Sequence, residues 1–309
     1  MVQQALEDAS RWVSQACTIF PSAVGKLCKA ALDAEIAPEC ARDLIVQYGL
    51  PPPPDANQNW PWPYKVHVLG RFRVLKGEEP VPFSRRLPRK PLELLQALIA
   101  FGGSEVGAST LLDALWPDCE GDSGYHALET AVYRLRKLLG THDAIRMCDG
   151  KLSLDRQQFW VDLWELEREL QTGSHEPGAA AGRYLRARQF YRGHFLEQEG
   201  EKSWALGARQ AVRDRLFSCL REAAREHESE GRWAEAATVY RSGLELDPVA
   251  EDLYRGLMIC HRELGDHSEA LQAYRSCREF LTRLLGVPPN AKTQAVYHSV
   301  RATAEAAVC

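Results

Sequence analysis

The stretch HALETAVYRLRKLLG, residues 126–140, decides how the rest of the chain is read. At helical spacing Leu128, Val132, Leu135 and Leu139 fall on one stripe, which marks a core-facing side. His126, Thr130, Tyr133 and Lys137 fall opposite it, with Glu129, Arg134 and Arg136 on the flanks and Gly140 as the stop. The apolar stripe is a core. A solvated surface accounts for any one of the other residues, so what surrounds the helix must decide what its second face does.

The 309 residues are 45% hydrophobic and 26% charged, an ordinary globular composition with length for about two or three domains. A net charge of -4 argues against a protein that coats nucleic acid without sequence preference. Charge is uneven. Residues 64–160 hold 14 Lys and Arg against 12 Asp and Glu, whereas 1–63 hold 4 against 7 and 161–309 hold 20 against 23. The middle is the least acidic part, and its cations are clustered. The N-terminus lacks a basic segment followed by an apolar run, and no apolar stretch is long enough to span a bilayer, so neither a signal peptide nor a membrane partner is expected. The nine cysteines are isolated, with no CxxC pair. They read as free, mostly buried thiols of a reducing cytoplasm rather than a zinc site or a disulfide framework.

Four regions follow from the pattern. Residues 1–50 read as amphipathic helices broken at Pro21 and Pro38 and ending at Gly49. Residues 51–63, PPPPDANQNWPWP, favour a stiff extended linker whose tryptophans dock on a neighbour. Region 64–160 opens with alternation over KVHVLGRFRVLKGEEPVPFS, which predicts three short strands. It then switches to helical period, with Pro91 in a first turn and Gly102-Gly103 as a stop. A second helix, GASTLLDALWP, is capped near Ser109 by this reading. After the basic helix, Asp149-Gly150 between two short alternating runs signals a two-residue hairpin. Asp162 and Glu165 form a capping box for the next helix.

Region 161–309 is almost wholly helical and holds an internal repeat. GRWAEAATVYRSGLELDP at 231 and GDHSEALQAYRSCREFLT at 265 align at a spacing of 34, matching Gly231/Gly265, Ala236/Ala270 and Tyr240/Tyr274 among others. Small residues where helices cross, an aromatic four later and a closing Pro248 make the tetratricopeptide pattern. The second copy lacks the proline and resembles a terminal unit.

No catalytic constellation emerges. SAVGKLCK departs from a phosphate loop at Phe20 and Leu27, FGGSEVG lacks the dinucleotide-binding spacing, and neither GxSxG nor HExxH occurs. No enzyme activity, cofactor or metal is expected. What remains is order: strands, helix, short helix, loop, basic helix, hairpin. That order looks like a winged helix-turn-helix of the OmpR/PhoB type, in which the third helix enters the major groove and the hairpin is the wing. On this reading His126, Glu129, Thr130, Tyr133 and Arg134 face base edges, and Arg136 and Lys137 face phosphates. Arg146 and Lys151 flank the hairpin tip and suit the adjacent backbone or minor groove. Arg85, Arg86, Arg89 and Lys90 precede the first helix of the module, where they meet phosphates.

The segments VHVLGRFRVL, RKPLELLQALIAFGGSEVGASTLLDALWPD and ALETAVYRLRKLLG resemble the DNA-binding half of SARP-type bacterial transcriptional activators. YRGHFLEQE and the stretch from WALGARQAVRDRL to LLGVPP resemble the bacterial transcriptional activation domain that follows it. Residues 1–50 with WPWP resemble the junction in MalT-like multidomain regulators, where an ATPase and a sensor come first. The implied fold is mainly α with a small β component: a winged helix with an N-terminal β-meander, then a tetratricopeptide-like all-α repeat domain. The implied partners are double-stranded promoter DNA, RNA polymerase, a sister protomer on repeated sites, and an upstream sensor or ATPase region outside this chain. The alternative is a scaffold or regulatory subunit that uses the same modules to dock proteins.

Overall fold

The computed structural model describes residues 12–81, 89–119, 121–171, 178–200 and 202–306. The chain is mainly helical with a small sheet component and folds as two compact units. One unit runs to Trp164 and includes Gln198–Ala208; the other holds Glu165–Glu197 and the chain from Arg209 onward.

In the first unit, residues 12–19 are helical and α1 (Pro21–Asp33) packs on α2 (Pro38–Tyr48) through Cys28, Leu32, Ala41 and Ile45. Residues 51–63 do not run extended. They turn twice, with Ala56 N bonded to Pro53 O and Trp60 N to Asn57 O. Trp60 and Trp62 are buried, and Trp62 Nε1 donates to Asn57 O. Lys29 pairs with Asp55, and Asn57 Nδ2 donates to Asp33, so α1 holds the segment by its polar residues. Four prolines restrict φ, but the Asp and Asn residues after them favour turns and set the path.

The strands follow as β1 (Tyr64–His67), β2 (Arg73–Lys76) and β3 (Glu79–Pro80). A fourth, β7 (Phe159–Val161), completes the sheet in the order β3-β2-β1-β7, antiparallel between β1 and β2 and parallel between β1 and β7. Between them come α3 (Arg89–Ala100), β4 (Val106–Gly107), α4 (Ala108–Leu115), α5 (Asp122–Leu139), β5 (Ile145–Cys148) and β6 (Lys151–Leu154). Leu94, Leu98, Leu111, Leu128, Leu135 and Leu139 are all but sealed from solvent and form the core of the three helices. Gly107, in extended backbone, precedes α4 without a side-chain cap, so Ser109 lies inside the helix rather than at its cap. Gly103 is required twice over: its φ is +73°, and a Cβ there would come within 2.5 Å of the Trp164 ring.

Asp162 opens α6 (Asp162–Gln171) and is nearly fully buried. Its carboxylate accepts from Leu163 N at 2.9 Å, and also from Val68 N at 2.9 Å and Leu69 N at 3.1 Å. The Asp162 carboxylate thereby fixes the chain just after β1.

The second unit is helical. It contains α7 (Ala180–Phe190), α8 (Ser203–Ser229) from Arg209 onward, α9 (Trp233–Leu246), α10 (Glu251–Glu263), α11 (His267–Leu285) and α12 (Ala291–Ala306). Helices α9 to α12 pack in chain order, and α10 also meets α12. The 34-residue repeat supplies the crossings. Ala236 and Ala270 are fully buried, and a Cβ on Gly256 would strike the Tyr240 ring at 2.2 Å. Tyr240 donates to Glu228 Oε1 at 2.9 Å, whereas its counterpart Tyr274 is half-buried and stacks on Tyr297 with centroids 4.1 Å apart. Cys260 is buried beside the same Glu228. Burial, then that charge, pushes its thiol up to about 12, so it is a core residue and not a nucleophile.

Candidate nucleic-acid interface

Helix α5 is amphipathic as its sequence dictates. Leu128, Ala131, Val132, Leu135 and Leu139 are buried, and His126, Glu129, Thr130, Tyr133, Arg134 and Lys137 are exposed. Tyr133 is 60% exposed. Asp122 in the first turn and Arg136 and Lys137 in the last complement the helix dipole. The C-terminus is anchored from the sheet. Tyr64 Oη on β1 donates to Leu139 O at 2.8 Å, and burial pushes the Tyr64 phenol up. Lys76 Nζ on β2 sits beside Gly140, within 2.9 Å of where a Cβ would be. The strands therefore fix the end of the helix and with it the direction of its exposed face.

Along that face His126 Nδ1 lies 3.8 Å from Glu129 Oε2. Among the described residues Thr130, Tyr133, Arg134 and Lys137 make no side-chain hydrogen bond or ion pair. Tyrosine, threonine, a guanidinium and an ammonium are thus presented together on rigid backbone with their hydrogen-bonding capacity free.

The β5–β6 hairpin is different. Cys148 pairs with Lys151 across a two-residue loop in which Asp149 and Gly150 both have positive φ, at 49° and 70°. That is the backbone of a type I′ turn. β4 pairs with the other side of β6, making a three-stranded sheet. The cations here are internally bonded. Arg146 pairs with Asp155 at 2.7 Å and Lys151 with Glu105 at 3.4 Å. Burial would raise the Asp155 carboxyl, but bonds from Gln157 N, Arg146 and Gln158 outweigh it and hold the group below the usual carboxylate range. Arg136, expected to face phosphate, turns its guanidinium to the hairpin and donates to Ile145 O through Nε at 3.2 Å and Nη2 at 2.7 Å. It braces the hairpin against the helix. An open groove of about 550 Å³ lies there, lined by Arg136, His142, Asp143, Ile145, Arg146 and Met147.

Of the four cations expected before α3, Arg89 and Lys90 are its first two residues, and Arg85 and Arg86 lie outside the described residues. Arg89 is exposed in the first turn of α3. Lys90 is committed: it donates to Leu115 O at 2.7 Å, pairs with Glu93 at 3.2 Å and lies 5.4 Å from the Trp116 ring centroid. Sequence reasoning missed Tyr64, Asp155, Trp116 and His142. The first two act through partners distant in sequence or dependent on strand register, and nothing local marks them.

Residues 161–301 match the model of a bacterial transcriptional activator domain. The chain is similar to the regulatory protein DnrI of Streptomyces peucetius, 26% identical over 230 residues that cover 69% of this chain and 84% of that protein. It is similar to the regulatory protein AfsR of Streptomyces griseus, 28% identical over 228 residues, covering 72% of this chain but 23% of that much longer protein. Among solved structures it is similar in fold to Mycobacterium tuberculosis EmbR in complex with a low-affinity phosphopeptide, with a TM-score of 0.55 and 23% identity over 77% of this chain and 64% of that one.

Proposed function

We propose that this chain, a relative of the SARP-type transcriptional regulators that carries a bacterial transcriptional activator domain over residues 161–301, binds promoter DNA sequence-specifically. On this reading residues 64–160 are a winged helix-turn-helix whose recognition helix is α5. The tetratricopeptide-like helices that follow contact RNA polymerase or a sister protomer. The observation that carries the reading is the exposed face of α5. Thr130, Tyr133 and Arg134 stand together there with no bonding partner among the described residues. Arg134 has the fork that guanine O6 and N7 accept, Glu129 accepts from a cytosine amino group, and Lys137 and Arg89 suit phosphates. Arg146 and Lys151 already share their charge with carboxylate partners, so they contribute less than the helix does.

The deciding experiment is selection of bound duplexes from a random pool by the full chain. Enrichment of one sequence, lost in the Tyr133→Ala and Arg134→Ala proteins, supports the reading. If no duplex is enriched, α5 is not a recognition helix and the module docks a protein instead.

A further inference from the structure

Beside the exposed face of α5 lies a recess of about 370 Å³. Its lining joins apolar groups, Pro91 from the first turn of α3, Trp116 at the end of α4, and Ala127 and Ala131 from α5, to the polar Ser123 and His126. Thr130 and Arg134, two of the free groups on α5, border it. Lys90 borders it as well, but its ammonium is engaged by the Leu115 carbonyl, the Glu93 carboxylate and the Trp116 ring. A phosphate seated here would compete with all three for that ammonium. An apolar group meets no such obstacle.

We infer that this recess receives the C5 methyl group of a thymine, an inference that rests on the reading of α5 as the base-contacting helix. In the major groove the base-pair edges offer hydrogen-bond donors, acceptors and one apolar group, the thymine methyl. The indole, the proline ring and the two alanine methyls of this recess, opening beside Thr130 and Arg134, offer that group an apolar surface. Burying the methyl removes apolar surface from water on both sides. Pro91 and Trp116 belong to elements outside α5, so part of the base preference is set by residues that do not lie on the recognition helix.

The test uses the full chain and a duplex recovered from the random pool. Each thymine of the recovered site is replaced in turn by deoxyuridine, which removes the methyl and keeps the pairing. One position should lose binding by about four-fold, the equivalent of one buried methyl group. In the Ala127→Leu protein, which fills the recess from a half-buried position, the thymine duplex should fall to the level of the deoxyuridine duplex. Binding to random DNA and the melting temperature should not change. If the selected duplex is bound but every deoxyuridine duplex binds like the parent, the recess reads no methyl and the base-contacting helix stands. The inference also fails if Ala127→Leu keeps the four-fold discrimination. If no sequence is enriched at all, the reading of α5 fails first. The deoxyuridine series needs no altered protein, so it can overturn the inference even where a variant folds poorly.

Discussion

Helix α5 and the β5–β6 hairpin lie in one unit, both carry cations toward solvent, and hold them in opposite ways. On α5, Arg134 and Lys137 have no carboxylate partner among the described residues. On the hairpin, Arg146 is paired with Asp155 and Lys151 with Glu105, and Arg136 bonds back to the hairpin from the helix. Charge alone does not separate the two groups. A guanidinium already bonded to a carboxylate has part of its charge met within the fold and offers less to an outside anion. The difference teaches that helix substitutions should change recognition, and hairpin substitutions should change structure first.

The largest effect tests the helix from its other side. Leu135→Ala empties a fully buried site and should cost about 2–5 kcal/mol of stability, read as a fall in denaturation midpoint. A mild loss would mean that the stripe is not the core and that the exposed face has been assigned to the wrong side.

Next come the exposed residues. Thr130→Ala, Tyr133→Ala and Arg134→Ala should each weaken the selected duplex by about 1–3 kcal/mol while leaving the midpoint unchanged. Lys137→Ala should weaken selected and random DNA alike and reduce the salt slope by about one counterion. Isotherms at several salt concentrations separate the two classes. Equal effects across all four would erase the distinction between base and phosphate contacts.

On the hairpin the order reverses. Arg136→Ala removes two hydrogen bonds to Ile145 O and should cost about 1 kcal/mol of stability. Arg146→Ala breaks an exposed pair and should cost less, roughly 0.2–1 kcal/mol. Should Arg146→Ala weaken DNA binding as strongly as Arg134→Ala does, with no loss of stability, the contrast between helix and hairpin collapses.

The smallest effect is in acid. The Asp155 carboxyl is held below its usual range, so its contribution is complete above the unfolded value. That contribution is lost as the pH falls through the lower folded value. Chemical denaturation below the ordinary carboxylate range should show this loss in the parent protein. It should be diminished in Asp155→Asn.

Much of this was legible in the sequence because the signals are local. The stripe of α5 repeats within a turn, the Gly140 stop is one residue away, and the Asp149-Gly150 loop is set by backbone preference at two positions. Pairing between distant strands was not legible. Phe159-Trp160-Val161 is apolar at three successive positions and buried on both sides, a pattern that gives no alternation to read. Val106-Gly107 is too short to register as a strand at all. The charges of Arg136 and Arg146 were visible, but their partners were not. Each bond depends on how the hairpin sits against residues that the local pattern does not bring together. The recess beside α5 is assembled from three helical segments, and Trp116 reads in sequence only as the residue before a helix-ending proline.

The parallel pairing of β7 with β1 has a consequence for how the first unit is made. Tyr64–Val66 and Phe159–Val161 are brought together from opposite ends of the module, so loop closure over nearly its whole length precedes the last pairing. During synthesis β1 waits with one row of backbone groups unpaired until residue 161 has left the ribosome. Such an edge is a template for pairing with another chain. Proteins truncated before Phe159 should therefore associate, detectable by light scattering, whereas those ending after Ala208, which hold the whole first unit, should remain dispersed. The strand that closes the sheet stands immediately before the helix that leads into the second unit, so the exposed edge persists until part of that unit has been synthesised.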